Sequence, residues 1–155
     1  MMLILPAVPD DLPALLDLQR RAYASEAALY PEVTLLPMTQ TLAELQEDAA
    51  GQTLLKGVLD GHLTASVRGC VDGSGVGQIG RLMVDPAEQG RGYGTCLLRA
   101  IEAALPAQTL ELFTGKRSAT NLRLYERLGY LRDRVESRDG VTLIYLRKEK
   151  ATVTV

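Results

Sequence analysis

Hydrophobic and polar positions fall into two kinds of pattern along this chain, short runs of strand character and longer stretches at helical spacing. Residues 2–7 are a short apolar run that reads as a first strand. Pro9, Asp10 and Asp11 then offer a helix cap, with Pro13 in the first turn, where it is tolerated. Leu12, Leu15, Leu16, Gln19, Ala22 and Tyr23 recur at helical spacing, which predicts a helix to about Ser25. Residues 30–38 carry Pro31 and Pro37 and read as irregular. Thr41-x-x-Glu44 is a capping-box pattern that opens a second helix, and Gly51 ends it. Strand runs follow at Thr53–Leu59 and His62–Val71, joined by Asp60-Gly61, a two-residue hairpin signal. A third run, residues 76–85, stops at Pro86. Residues 90–105 place Leu97, Leu98, Ile101 and Leu105 on one helical stripe, closed by Pro106. A strand at 109–114, a short helix at 120–128 ending at Gly129, and strands at 130–138 and 141–147 around Asp139-Gly140 complete the chain. The order is strand, two helices, three strands, helix, strand, helix, hairpin. It predicts an α/β (α+β) fold, with a mixed, mostly antiparallel sheet flanked by crossover helices.

Composition narrows the function. The 155 residues, 46% apolar and 23% charged, suit one folded domain and exclude wholesale disorder. A formal charge of −2 gives no global field to recruit nucleic acid. No apolar run approaches the roughly 20 residues that cross a bilayer, and the opening residues lack a basic leader. A cytoplasmic protein with no membrane partner is the expectation. The single His62 with Cys70 and Cys96 cannot make a cysteine/histidine zinc site, so no metal is expected and both thiols are read as free.

Two glycine-rich stretches invite a phosphate-binding reading. Gly75-Val76-Gly77-Gln78-Ile79-Gly80 matches the dinucleotide fingerprint, but that fingerprint needs a strand before it and a helix opening inside it. Here a turn precedes the glycines and a strand follows, so turn and strand-entry glycines explain it better. The second stretch, Gln89-Gly90-Arg91-Gly92-Tyr93-Gly94, lies between a strand and a helix. Glycines there let the backbone approach a ligand, and the free N–H groups of the first helical turn favour an anion such as a pyrophosphate. A tight turn needed only for packing is the plainer alternative, ranked second.

Gln89-x-x-Gly92-x-Gly94 resembles the acyl-CoA pyrophosphate motif of the GNAT superfamily of N-acyltransferases. The preceding Arg81-Leu82-Met83-Val84-Asp85-Pro86 looks like that family's strand-and-proline lead-in. Asn121-Leu122-Arg123-Leu124-Tyr125-Glu126-Arg127-Leu128-Gly129-Tyr130 is similar to its Asn-x-x-x-Tyr-x-x-x-Gly-Phe/Tyr segment. The resemblance runs from about Gln78 to Tyr130. It implies a sheet splayed between its fourth and fifth strands, with acetyl-CoA as co-substrate and an amine as acceptor. Backbone groups of Leu82, Met83 and Val84 are then expected to pair with the pantetheine arm, and the amides of Gly90, Arg91, Gly92, Tyr93, Gly94 and Thr95 to hold the pyrophosphate. Gln89 fits the motif's first position, and the family uses the residue matching Asn121 for cofactor contacts. Tyr125 is expected to protonate the departing thiolate. Taken alone, a helical tyrosine is usually a core residue; its place in the motif reverses that order.

A base for the acceptor ammonium is harder to find. Strand alternation turns Glu111 away from Leu110 and Leu112, making it a candidate water-relay base, with a solvated strand carboxylate equally plausible. Glu26 and Glu32 are candidates to recognise a cationic acceptor. His62, beside a hairpin turn, reads as a surface residue. Cys70 and Cys96 read as small hydrophobes, although Cys96 is near a helix start, which would lower its pKa if exposed. Lys116 and Arg117 are placed either near the cofactor's 3′-phosphate or in solvent. The expected reaction is direct attack of a primary amine on the thioester in a ternary complex. A non-catalytic acyl-CoA-binding sensor is the alternative. A different nucleotide-binding domain is disfavoured by the lack of Gly-Lys-Ser/Thr after the loop. The same resemblance implies that the segment from Tyr23 to Thr39 shapes the acceptor pocket, where Tyr30, Glu32 and Met38 could line a polyamine, an amino acid, an antibiotic or a protein N-terminus. The β-prone tail, residues 151–155, leaves a homodimer open.

Overall fold

The computed structural model describes residues 1–151; residues 152–155, which carry most of the tail considered for pairing with a second chain, lie outside the described residues. Seven strands form one sheet: β1 (Leu3–Pro6), β2 (Thr53–Leu59), β3 (His62–Val71), β4 (Gly77–Val84), β5 (Thr109–Gly115), β6 (Leu131–Arg138) and β7 (Val141–Glu149). Their order across the sheet is β1-β2-β3-β4-β5-β7-β6. Every neighbouring pair is antiparallel except β4 and β5, which run parallel. The helices are α1 (Leu12–Leu29), α2 (Leu36–Thr39), α3 (Leu42–Ala49), α4 (Tyr93–Ala104) and α5 (Ala119–Arg127). None of the described helices is long and apolar enough to cross a membrane.

Local chemistry accounts for much of this. Asp60 and Gly61 have φ of +50° and +80°, as do Asp139 and Gly140 at +52° and +82°, the paired positive values a tight two-residue hairpin requires. Thr41 Oγ1 accepts from the Glu44 amide at 3.2 Å, and Glu44 Oε1 accepts from the Thr41 amide at 2.9 Å, completing the capping box. α1 runs to Leu29 instead of Ser25, since Glu26, Ala27 and Ala28 are good helix formers. The segment expected to be irregular over 30–38 is so only to Leu35; its end turns helical as α2, whose Pro37 occupies a first-turn position.

At β3 and β4 the sheet buries both faces. Val67, Ile79, Leu110 and Leu146 pack with Leu97, Leu98 and Ile101 of α4, all of them essentially shielded from solvent. On the other face Met83 packs with Leu12, Leu15, Leu16 and Leu18 of α1 and Leu45 of α3. The alternation of β3 and β4 thus serves two helical layers at once. The fingerprint-like glycines at 75–80 enter β4, with no helix opening among them, so the dinucleotide reading fails for want of the helix N-terminus it needs.

Candidate active site

β4 and β5 begin side by side and then part. Their register holds only at Gly77↔Leu110 and Gln78↔Glu111. The cause sits in β4 itself: Arg81 adopts φ +50°, a left-handed conformation uncommon for a residue with a side chain. The register with β3 shifts at the same point, between Ser66 and Arg68. One inserted residue bends a strand and ends its pairing on the far side. From Ile79 onward the β5-facing edge of β4 has no strand partner, so backbone groups of Leu82, Met83 and Val84 border an opening. A Cβ placed on Gly80 would meet nothing within 4 Å.

β4 leads directly to the glycine-rich turn. The Asp85 amide donates to Thr64 O at 2.7 Å, and the Asp85 carboxylate caps a short 3-10 turn at Pro86–Glu88 by accepting from the Ala87 amide. Arg21 of α1 pairs with the same carboxylate. Gly90 and Gly92 follow at φ +81° and +82°, with open space where a side chain would stand. Gly92 caps α4, whose first backbone bond runs from the Cys96 amide to Gly92 O. The amides of Gly90 to Thr95 have no acceptor among the described residues. Six unpaired donors at the positive end of a 12-residue helix form an anion cradle. Gln89 and Arg91 are exposed beside it, with Arg91 Nη1 3.4 Å from Glu88.

α5 brings Tyr125 and Asn121 to the opposite side of the opening. Tyr125 is 6% exposed, its ring centroid 6.2 Å from that of Tyr130. Its hydroxyl has no hydrogen-bond partner among the described residues, yet is not fully enclosed. Burial, followed by the nearby Tyr23 and Glu26, pushes its pKa above the ordinary tyrosine value. It therefore stays protonated and can donate a proton. Asn121 Nδ2 lies 3.3 Å from Thr114 Oγ1 and 3.5 Å from Glu26 Oε1, while Ser118 Oγ donates to Glu26 Oε2. Glu26, on α1, thus joins the α5 side of the opening. The last part of the motif anchors the helix: Gly129 has φ +98°, and the fully buried Tyr130 donates to Glu102 Oε2 at 2.7 Å.

Glu111 does not sit in the opening as a free base. It lies at the closed end of the β4–β5 junction, 3% exposed, receiving Arg134 Nη1 at 2.8 Å, Arg147 Nε at 2.7 Å and Gln78 Nε2 at 3.0 Å. Burial alone would raise its pKa, but these donors outweigh it and hold the carboxyl at about 2. A carboxylate so held is a weak base near neutral pH, and this arrangement gives the expected relay role no support. Glu32 is also engaged, 2.7 Å from Arg117, and Arg117 stacks 5.1 Å from the Tyr30 ring centroid. That clamp ties the segment after α1 to the segment after β5. Lys116 and Arg117 line a groove with Tyr30, Gly140 and Thr142. His62 and Cys96 are exposed, Cys70 is half-buried, and both thiols are free. The sequence reading missed Arg68 and Tyr23 as neighbours of Arg81. The available signal was a lone arginine between Val67 and Gly69, in a strand with no other arginine, lysine or carboxylate.

Residues 12–130 match the family described as Acetyltransferase (GNAT) family. No curated protein matches the chain. Among solved structures, the ribosomal-protein-S18-alanine N-acetyltransferase from Escherichia coli aligns with a TM-score of 0.79 at 20% identity, over 99% of this chain and 97% of its own. An acetyltransferase of the GNAT family from Streptococcus agalactiae 2603 gives 0.81 at 17% identity, over 97% and 96%. The PaiA N-acetyltransferase from Thermoplasma acidophilum, in complex with coenzyme A, gives 0.74 at 14% identity, over 97% and 99%. These likenesses show a shared fold.

Proposed function

The chain belongs to the GNAT acetyltransferase family, and on that premise we propose that it transfers an acetyl group from acetyl-CoA to a primary amine by direct attack in a ternary complex. The observation that carries the reading is the opening beyond Gln78 and Glu111, flanked by six unpaired amides on one side and the Tyr125 hydroxyl on the other.

Acetyl-CoA supplies a thioester, an acyl group already activated toward amines. The chain supplies its placement. The amides of Gly90 to Thr95 receive the pyrophosphate, with Arg91 exchanging Glu88 for a phosphate oxygen. Backbone groups of Leu82, Met83 and Val84, on the edge that β5 has left, pair with the pantetheine arm. One of those amides polarises the carbonyl, an effect worth about 3–4 kcal/mol where the donor is preorganised. Asn121 orients groups beside Tyr125.

The balance of the reaction follows. The acceptor ammonium loses one proton to solvent, its nitrogen bonds to the carbonyl carbon as the C–S bond breaks, the sulfur takes the Tyr125 proton, and the new amide nitrogen gives its extra proton to solvent. Solvent then reprotonates Tyr125. Glu111 has no part in this path. Glu26, the carboxylate nearest the tyrosine on the α1 side, attracts the acceptor as an ammonium before it loses its proton.

Thiol release from acetyl-CoA in the presence of an amine panel tests the proposal. Tyr125→Phe is expected to lower kcat at least a hundredfold, within the range of general acid catalysis, with the acetyl-CoA KM changed less than twofold. Tight acetyl-CoA binding with no amine consumed by the wild-type chain would instead make it a binding module.

A further inference from the structure

Beneath α1, on the face of the sheet away from α4, two arginines come together where apolar residues would be expected. Arg68 of β3 is 8% exposed. Arg81, at the bend of β4, stands with its guanidinium 5.9 Å from the Tyr23 ring centroid. With Gln19, Ser66, Leu12 and Met83 they line a small pocket with room for about one water-sized group, such as a single oxygen of an oxoanion.

The charges in this pocket are not balanced. Arg68 Nη2 lies 3.6 Å from Asp48 Oδ2, too long for a good hydrogen bond, and that oxygen already accepts from Gln40 Nε2 at 2.5 Å. Arg81 forms no ion pair among the described residues, and its Nε is buried without a hydrogen-bond partner. Burial, then the positive charge of Arg81, lowers the pKa of Arg68. Two like charges in a desolvated place with part of one counter-ion cost stability. The orphaned buried Nε of Arg81 adds to that cost. An oxoanion would satisfy both guanidinium groups and Nε.

This pocket borders the reacting cleft. Met83, whose backbone borders the opening, lines the pocket, and Arg81 lies over the ring of Tyr23, which stands three residues before Glu26 on α1. An acceptor beside Tyr23 therefore meets a carboxylate that suits its ammonium and a guanidinium pair that suits an anion on the same molecule. We propose that Arg68 and Arg81 bind the carboxylate of the acceptor, and that the acceptor is a small zwitterionic amine, a free amino acid. The inference rests on the acetyltransferase reading for its site and extends it to the substrate.

The experiment compares matched acceptors on the full chain with saturating acetyl-CoA: free amino acids, the same amines lacking the carboxylate, their carboxamides, and dipeptides with the same first residue. Acetyl transfer is read by thiol release, and binding of the same compounds to the chain loaded with CoA is read by calorimetry. At least one free amino acid is expected to exceed its decarboxylated partner tenfold or more in kcat/KM. Arg81→Asn, chosen because asparagine tolerates positive φ, and Arg68→Met should each shrink that ratio toward one. Arg81→Lys should restore part of it, a pattern that mere misfolding would not give. Equal use of amines with and without the carboxylate, or preference for the dipeptides, overturns the proposal while leaving acetyl transfer intact. Carboxylate-dependent binding without turnover sustains the pocket and overturns the enzymatic reading. Loss of acetyl-CoA binding and of amino-acid binding together would overturn both.

Discussion

At the closed end of β4 and β5 one buried carboxylate, Glu111, is met by two arginines; under α1 one of two arginines, Arg68, reaches a carboxylate only at 3.6 Å, and the other, Arg81, reaches none among the described residues. The first cluster sets a buried carboxylate under two half-exposed arginines and is complete; the second sets a buried arginine beside a half-exposed carboxylate and is not. In the first, every donor aimed at Glu111 finds an oxygen, and the strands stay paired there through Gln78 and Glu111. In the second, Arg81 belongs to the residue pair where β4 bends, and its Nε finds nothing. A satisfied cluster is a fastener. An unsatisfied one at the mouth of a cleft is a binding surface that costs the free protein stability, a common compromise at functional sites.

The sharpest way to break this contrast is Glu111→Gln. It leaves two guanidinium groups facing a neutral amide and should destabilise the chain by about 2–3 kcal/mol, a value reduced because both arginines are partly solvated. Urea unfolding at pH 7 reads it, and a change below about 0.5 kcal/mol would equate the two clusters. A somewhat smaller effect comes from acid. The folded pKa of Glu111, about 2, lies below its ordinary 4.5. Its contribution is therefore whole above pH 4.5 and is lost as pH falls from about 4.5 toward 2. Urea midpoints of wild type should fall more steeply across that window than those of Glu111→Gln, and parallel curves would contradict the assignment. The smallest effect is opposite in sign. Arg68→Met removes one of two repelling charges and should leave the unliganded chain as stable or up to about 1 kcal/mol more stable. A loss of 2 kcal/mol or more would mean that Arg68 fastens the sheet as Glu111 does.

Much of the molecule could be read before it was seen, because the relevant chemistry is local. The Asp60-Gly61 and Asp139-Gly140 turns, the Thr41 and Glu44 capping box and the glycines before α4 each act within a few residues, and their neighbours in sequence identify them. The opening between β4 and β5 was expected only through the resemblance. Its physical origin, positive φ at Arg81, follows from no propensity rule for arginine. Glu111 shows the other limit. Alternation correctly turned it from Leu110 and Leu112, but its fate depends on Arg134 and Arg147, brought in by β6 and β7. Pairings that distant have no local signature, and the same holds for Arg68 against Arg81 across β3 and β4.

The central claim is that the main chain at the start of α4 grips a diphosphate, and amide NMR of the labelled protein during titration with acetyl-CoA tests it most directly. Saturable movement of the Gly90, Gly92 and Gly94 resonances, larger than that of Gly61 and Gly140 in the distant hairpins, is the predicted result. If acetyl-CoA leaves those three amides where they were, the account of the site is wrong.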